Sequence, residues 1–248
     1  MYIDSHCHIH ASEFYPEDRE EVYARAIEAK VRMLLIGTSE KDSREAVEYT
    51  KDHEDTWAVI GVHPHASKDG WEGIGNILKE SHDNVVGIGE IGLDYFYDNS
   101  QRDVQIMALE AQLQLARDYN LPVSFHVRDA FDDFWPILAN FSELKGVLHS
   151  FTDSIETLEV ALSKDMYIGI NGISTFAKDK QAMWDAVPLE KMLLETDAPF
   201  LTPVPLRGKV NEPAFVRNVA EYHANRRTVE LEHLARVTSA NASKLFNL

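Results

Sequence analysis

At 248 residues the chain is long enough to bury a sizeable core without disulfides, and its 44% hydrophobic content excludes a disordered or membrane-like polymer. The net charge of -17, from 24 basic against 41 acidic residues, excludes a broad basic coat for sequence-independent nucleic-acid binding. It leaves room for an enzyme that binds such a polymer weakly and turns over, because bound cations can present positive charge to a phosphate.

The elements alternate in chain order. An apolar strand at 2–6 precedes a helix at 20–30 with Val22, Ala26 and Ile27 on one face. Strands at 32–37 and 57–62 flank a helix at 43–52, and a helix at 74–80 leads to a strand at 85–89. The longest helical pattern, 101–119, sets Ile106, Leu109, Leu113 and Ala116 on one face before a strand at 122–126. No helix is predicted across 127–145. Strands at 146–149, 167–170 and 192–195 follow, separated by helices at 154–162 and 180–187, and helices at 212–226 and 229–245 close the pattern. The strands are short and apolar at consecutive positions, as strands buried on both faces are. Strand–helix alternation at this pitch predicts parallel strands with right-handed crossovers, hence an α/β TIM (β/α)8 barrel forming one domain over 1–248. A doubly wound open sheet is the alternative. No apolar run approaches the ~18 residues of a membrane span. The first residues carry no basic-then-apolar leader. Cys7 is the only cysteine, which fits a reducing cytoplasm.

Polar residues gather at one end of these strands. His6 and His8 end the first; two residues apart, they point to one face and can meet one cation. Glu90 ends the run from Val85, His126 the run from Pro122, and His149 the run from Gly146, while Glu195 and Asp197 end the run from Met192. A lone histidine or carboxylate in such a place is usually structural. Burying so many at equivalent ends without compensation is costly, and metal ions resolve that cost collectively. Four histidines and two carboxylates exceed one tetrahedral ion but suit two ions sharing a carboxylate, with Glu90 as the natural bridge. Two cations ~3.5–4 Å apart can hold a water between them and lower its pKa toward ~7, giving hydroxide at neutral pH. Mixed imidazole and carboxylate ligands suit zinc, manganese, iron or nickel better than magnesium alone. His63 and His65 end the third strand and fit substrate or supporting roles. His10, His53, His82, His223 and His233 lack this context and read as surface or packing residues.

The motifs resemble the TatD family of metal-dependent hydrolases, within the amidohydrolase superfamily. They are Asp4-Ser5-His6-Cys7-His8, Gly61-Val62-His63-Pro64-His65, Gly89-Glu90-Ile91-Gly92-Leu93-Asp94-Tyr95, Leu121-Pro122-Val123 leading to His126-Val127-Arg128, and Leu194-Glu195-Thr196-Asp197-Ala198-Pro199. Arg207-Gly208-Lys209-Val210-Asn211-Glu212-Pro213 and Asn241-Ala242-Ser243-Lys244-Leu245-Phe246 extend the resemblance over residues 4–246. It implies that one divalent ion takes His6, His8 and Asp197, that a second takes His126 and His149, and that Glu90 bridges them. It also implies Asp197 as the general base. Similar proteins are deoxyribonucleases, some acting 3′→5′, and others deacylate D-aminoacyl-tRNA. The family often carries Asp in place of His10 and Gly in place of Asp153; both departures bear on substrate preference, not on metal binding.

Arg128, two residues past His126, should share its face and could clamp a phosphate or carboxylate. Arg207 and Lys209 lie in a Pro/Gly-bearing loop that either meets a polyanion or is a solvated turn. Tyr95, Phe96, Tyr97 and Phe200 sit past strand ends, where they either stack on bases or pack locally. The leading expectation is a cytoplasmic, monomeric phosphodiester hydrolase acting on DNA with two zinc, manganese, nickel or magnesium ions. An ester or amide hydrolase using the same ions, a PHP-type phosphoesterase and a non-catalytic metal-binding protein are the alternatives.

Overall fold

The computed structural model describes residues 1–81, 84–97 and 99–248, and contains one eight-stranded sheet in the order β1 to β8. The strands are β1 (Tyr2–Cys7), β2 (Val31–Ile36), β3 (Thr56–Ile60), β4 (Val85–Asp94), β5 (Val123–Arg128), β6 (Gly146–Leu148), β7 (Tyr167–Ile170) and β8 (Met192–Leu194). The helices are α1 (Arg19–Glu28), α2 (Glu40–Asp52), α3 (Ile74–Ser81), α4 (Arg102–Asp118), α5 (Phe131–Ala139), α6 (Ile155–Ser163), α7 (Gln181–Asp185), α8 (Val216–Arg227) and α9 (Leu231–Phe246). Each strand neighbours the next in sequence. That is the (β/α)8 order and not the doubly wound one, whose strand order reverses at a switch point. No helix among the described residues is long and apolar enough to cross a membrane.

The chain divides into two compact units, Met1–Leu35 with Ser150–Leu248, and Ile36–His149. In the terminal unit β1 pairs with β2 and β7 with β8, all parallel, and a bridge between Cys7 and Ala198 joins the ends of β1 and β8. Helix α9 covers β1 and β8 because Leu234, Ala235, Thr238, Asn241, Ala242 and Leu245 recur at helical spacing on its buried side. Asn241 fixes the helix lengthwise by donating to Leu189 O and Met192 O, both at 2.9 Å.

In the central unit β3, β4, β5 and β6 pair in parallel. The apolar face of α4 carries two buried amides that complete strand edges. Gln112 accepts from Val62 N at 2.7 Å, and Gln105 accepts from Asp94 N at 2.8 Å while donating to Asp94 O at 3.0 Å. A buried amide of this kind satisfies backbone groups where no strand partner reaches.

Two local expectations need correction. Strand β4 runs ten residues, to Asp94, so Glu90 lies inside it and not at its end. The register with β5 shifts between Ile88 and Ile91, and Glu90 sits within that irregularity. Helix α5 fills part of the stretch read as helix-free. It is short and carries Pro136 inside, which obscures a helical pattern, and it is held by the contiguous rings of Phe131, Phe134 and Trp135.

Candidate metal centre

In the terminal unit, the ends of β1 and β8 are locked by backbone. Asp197 N donates to His6 O at 2.8 Å, and His8 N donates to Ala198 O at 2.9 Å. Buried Asp4 reinforces the lock by accepting from Thr196 N at 2.8 Å and Thr196 Oγ1 at 2.5 Å. Burial pushes the Asp4 carboxyl up to about 8 against the pull of these Thr196 bonds. Asn211 extends the clamp by donating to Thr196 O at 2.9 Å, while its own carbonyl accepts from Tyr15 Oη at 2.6 Å.

This scaffold presents a carboxylate to two imidazoles. Asp197 Oδ1 lies 3.7 Å from His6 Nε2 and 3.5 Å from His8 Nε2. Asp197 holds a left-handed backbone with φ 57°, a region most side chains avoid, and so turns the chain sharply as it leaves β8. Phe14 and Phe200, with ring centroids 5.3 Å apart, flank the His8 ring. Glu195, fully buried, accepts from Ser150 N at 2.6 Å, and a Cβ on Gly169 would stand 2.4 Å from its Oε2. Any larger residue at 169 would have to displace the Glu195 carboxylate.

In the central unit one oxygen organises the cluster. Glu90 Oε1 lies 2.8 Å from His126 Nδ1, 3.7 Å from His63 Nε2 and 3.8 Å from His149 Nε2. His63, Glu90 and His126 offer donor atoms close enough together to hold one ion. Distances of 3.5–3.8 Å in both units exceed hydrogen bonds. Imidazoles converging at that range on a single carboxylate oxygen leave the spacing a small cation needs, so the donor set fits divalent metal.

The other nitrogen of His126 is also held. His126 Nε2 lies 2.9 Å from Asp94 Oδ2, and His65 Nε2 approaches the same oxygen at 3.0 Å. A carboxylate behind a ligating histidine fixes its ring and tautomer. Burial disfavours charge on His126, but the bonds to Asp94 and Glu90 outweigh it and raise its pKa to about 9. Burial likewise pushes Asp94 up, yet His126 and the Tyr97 amide hold its carboxyl well below the usual range. His63 is driven down to about 3 by burial and by neighbouring His126, leaving a neutral ring suited to a metal. Gly92 permits the approach of β4 to β5 at this point. Its φ is 153°, and a Cβ there would fall 1.7 Å from His126 O.

The remaining candidates are placed as follows. His63 and His65 join the Glu90–His126–Asp94 cluster. Arg128, at the end of β5, stacks on Phe96 with its guanidinium carbon 3.8 Å from the ring centroid. Arg207 is drawn to Phe176, 4.0 Å from that centroid, and to Thr202 O at 2.9 Å. His10 is buried with its ring 6.2 Å from that of His8, and Asp153 accepts from Ser154 N at 2.9 Å. His223, read as ordinary, is fully buried against Ser174 Oγ at 2.8 Å, and burial pushes it down to about 3. His82 lies outside the described residues.

The sequence reading passed over Asp94 and Asp4 as working residues. Each stands four residues from a proposed ligand or two before one, inside an apolar run. The extra carboxylate there was the available signal.

A family model described as TatD related DNase matches residues 3–247. The chain is 37% identical over the whole of both chains to YabD, a metal-dependent hydrolase of Bacillus subtilis. It is 36% identical to a protein of Pantoea ananatis named 3′-5′ ssDNA/RNA exonuclease TatD, over 94% of this chain and 95% of that one. Among solved structures, YJJV, a TatD homologue of Escherichia coli, superposes with a TM-score of 0.92 at 28% identity, covering 100% of this chain and 98% of its own. With the donor set and the fold, these matches establish that the chain belongs to the TatD family and is a metal-dependent hydrolase.

Proposed function

We propose that the chain is a two-cation phosphodiesterase that degrades DNA strands from the 3′ end, working as a single domain over residues 1–248. His6, His8 and Asp197 would hold one cation, His126 and His149 the other, with Glu90 shared. The observation that carries the reading is the same in each unit: one carboxylate oxygen, of Asp197 or of Glu90, with imidazole nitrogens converging on it. The relatives named as 3′-5′ exonucleases support the choice of substrate. When bound, divalent cations acidify water and polarise the phosphodiester.

The protein's own groups do the rest. Asp197, part-exposed past the end of β8, would take the proton from the attacking water. Asp94 holds Nε2 of His126 so that Nδ1 faces Glu90. The -17 charge makes product release easy and retention on long polymers weak. A cytoplasmic setting agrees with Cys7, buried and the sole cysteine.

Metal analysis of protein purified without chelator, coupled to a substrate panel, tests this. Two equivalents of divalent metal and release of mononucleotides from the 3′ end of single-stranded DNA are expected. Turnover of a D-aminoacyl-tRNA with none of DNA would replace the phosphodiesterase by an ester hydrolase on the same ligands. One equivalent or fewer would overturn the two-cation assignment.

A further inference from the structure

Four aromatic residues follow strand ends near the candidate ligands, and the structure separates them by what they are free to do. Tyr95 is committed: its hydroxyl donates to Asp133 at 2.8 Å, and Arg102 covers its ring at 4.1 Å. Phe200 packs on Phe14. Phe200 is as exposed as Tyr97, at 47%, but Phe96 and Tyr97 stand side by side with a cation against them: they are 54% and 47% exposed, and their rings meet edge to face at 4.8 Å.

Arg128 joins this pair. Its guanidinium carbon lies 3.8 Å from the Phe96 centroid and 5.1 Å from that of Tyr97, and it has no carboxylate partner among the described residues. An exposed arginine held against two rings, and paired with no carboxylate among the described residues, is set up for an anion from outside. The stacking fixes the plane of the guanidinium and leaves its N–H edges for a phosphate.

The group is tied to the candidate metal centre. Asp94 Oδ2 meets His126 and His65, while Asp94 Oδ1 accepts from Phe96 N at 3.0 Å and Tyr97 N at 3.2 Å. One carboxylate thus sets both the ring of a candidate ligand and the backbone that carries the two aromatic rings. Tyr97 also packs edge to face on His65 at 5.4 Å. Exposed π surface, a preorganised cation and a rigid link to the ligands match one chemistry, a nucleotide: the base takes the ring and the phosphate takes the guanidinium.

We propose that Phe96, Tyr97 and Arg128 form a nucleotide subsite in which the base stacks on the exposed rings and Arg128 holds the phosphate. The subsite deepens the phosphodiesterase reading and rests on it for the identity of the polymer. It would let the enzyme grip any base, because every base has a face to stack and no base edge is read.

Equilibrium binding of adenosine 5′-monophosphate and ribose 5-phosphate to the metal-loaded protein tests the stacking. The nucleotide should bind about tenfold more tightly than its base-free counterpart. Phe96→Leu with Tyr97→Leu should close that gap, and Tyr97→Phe, which keeps the ring, should preserve it. Equal binding by the unaltered protein, or a gap that survives the double substitution, overturns the subsite. For Arg128→Gln, the dependence of log K on log salt for a single-stranded oligonucleotide should flatten by about 0.7. An unchanged slope removes Arg128 from the subsite. A protein that shows the nucleotide gap but cleaves no DNA or RNA keeps the subsite and loses the phosphodiesterase reading; one that cleaves strands without the gap does the reverse.

Discussion

The two units hold their candidate ligands in different ways. In the terminal unit the strand ends are fastened by backbone bonds and by a buried Asp4–Thr196 pair, and His6, His8 and Asp197 follow from where the backbone is held. In the central unit the side chains hold one another: Glu90 to His126, His126 to Asp94, Asp94 to His65 and to the amides of Phe96 and Tyr97. A ligand placed by backbone should tolerate loss of a neighbouring side chain until the fold itself weakens. A ligand placed by a chain of side chains should lose metal or rate at each link while the fold stands. Stability and activity are therefore expected to separate differently in the two units.

The largest effect should come from Asp197→Asn, which keeps the shape and removes the proposed base. We expect kcat to fall by roughly 10²–10⁴-fold with little change in thermal stability, as read by steady-state hydrolysis and calorimetry. A variant retaining more than a tenth of the rate would move the base elsewhere.

Asp94→Asn is the sharper probe of the central unit. Metal affinity should drop by about 10–100-fold, and excess metal should restore much of the rate, as expected for a group acting through a ligand. Loss of rate at saturating metal with unchanged affinity would mean that Asp94 acts on the substrate instead.

Thr196→Val probes the clamp of the terminal unit. It leaves the buried Asp4 carboxyl short of one donor, at a cost of about 1–3 kcal/mol. The melting temperature should fall while metal affinity per folded molecule holds. An unchanged melting temperature with weakened metal would show that the two units are not organised differently after all.

The smallest effect concerns pH. His223 is fully buried, and its folded pKa lies near 3, below the ordinary 6.5. A depressed value means that stability is complete above the unfolded pKa and declines as pH falls toward the folded one. Between pH 7.5 and 5.5 the loss should be about 1 kcal/mol. His223→Asn should flatten the fall in melting temperature over that window; parallel curves for the two proteins would remove His223 as the cause.

Parts of this arrangement were legible in the residues alone. His6 and His8 announce themselves because a strand of period two puts them on one face, and that inference needs no partner. The apolar runs of β1 to β8 were readable because strands buried on both faces are continuously apolar. Helix α5 was not readable, since Pro136 and a run of rings look like a loop until they pack. Asp94 was visible only as a letter in a motif. Its work depends on an imidazole 32 residues away and on amides two and three residues on, and spacing cannot show which of those it meets.

By itself the sequence determined the class of fold and which imidazoles and carboxylates are candidate ligands, because periodicity and residue type are local properties. Only tertiary structure decided that Glu90 sits within β4, that His126 is held on both ring nitrogens, and that Arg128 faces Phe96. Those facts arise where separate strands meet, and the distance between two side chains on different strands is fixed by register and packing, not by the order of residues along the chain.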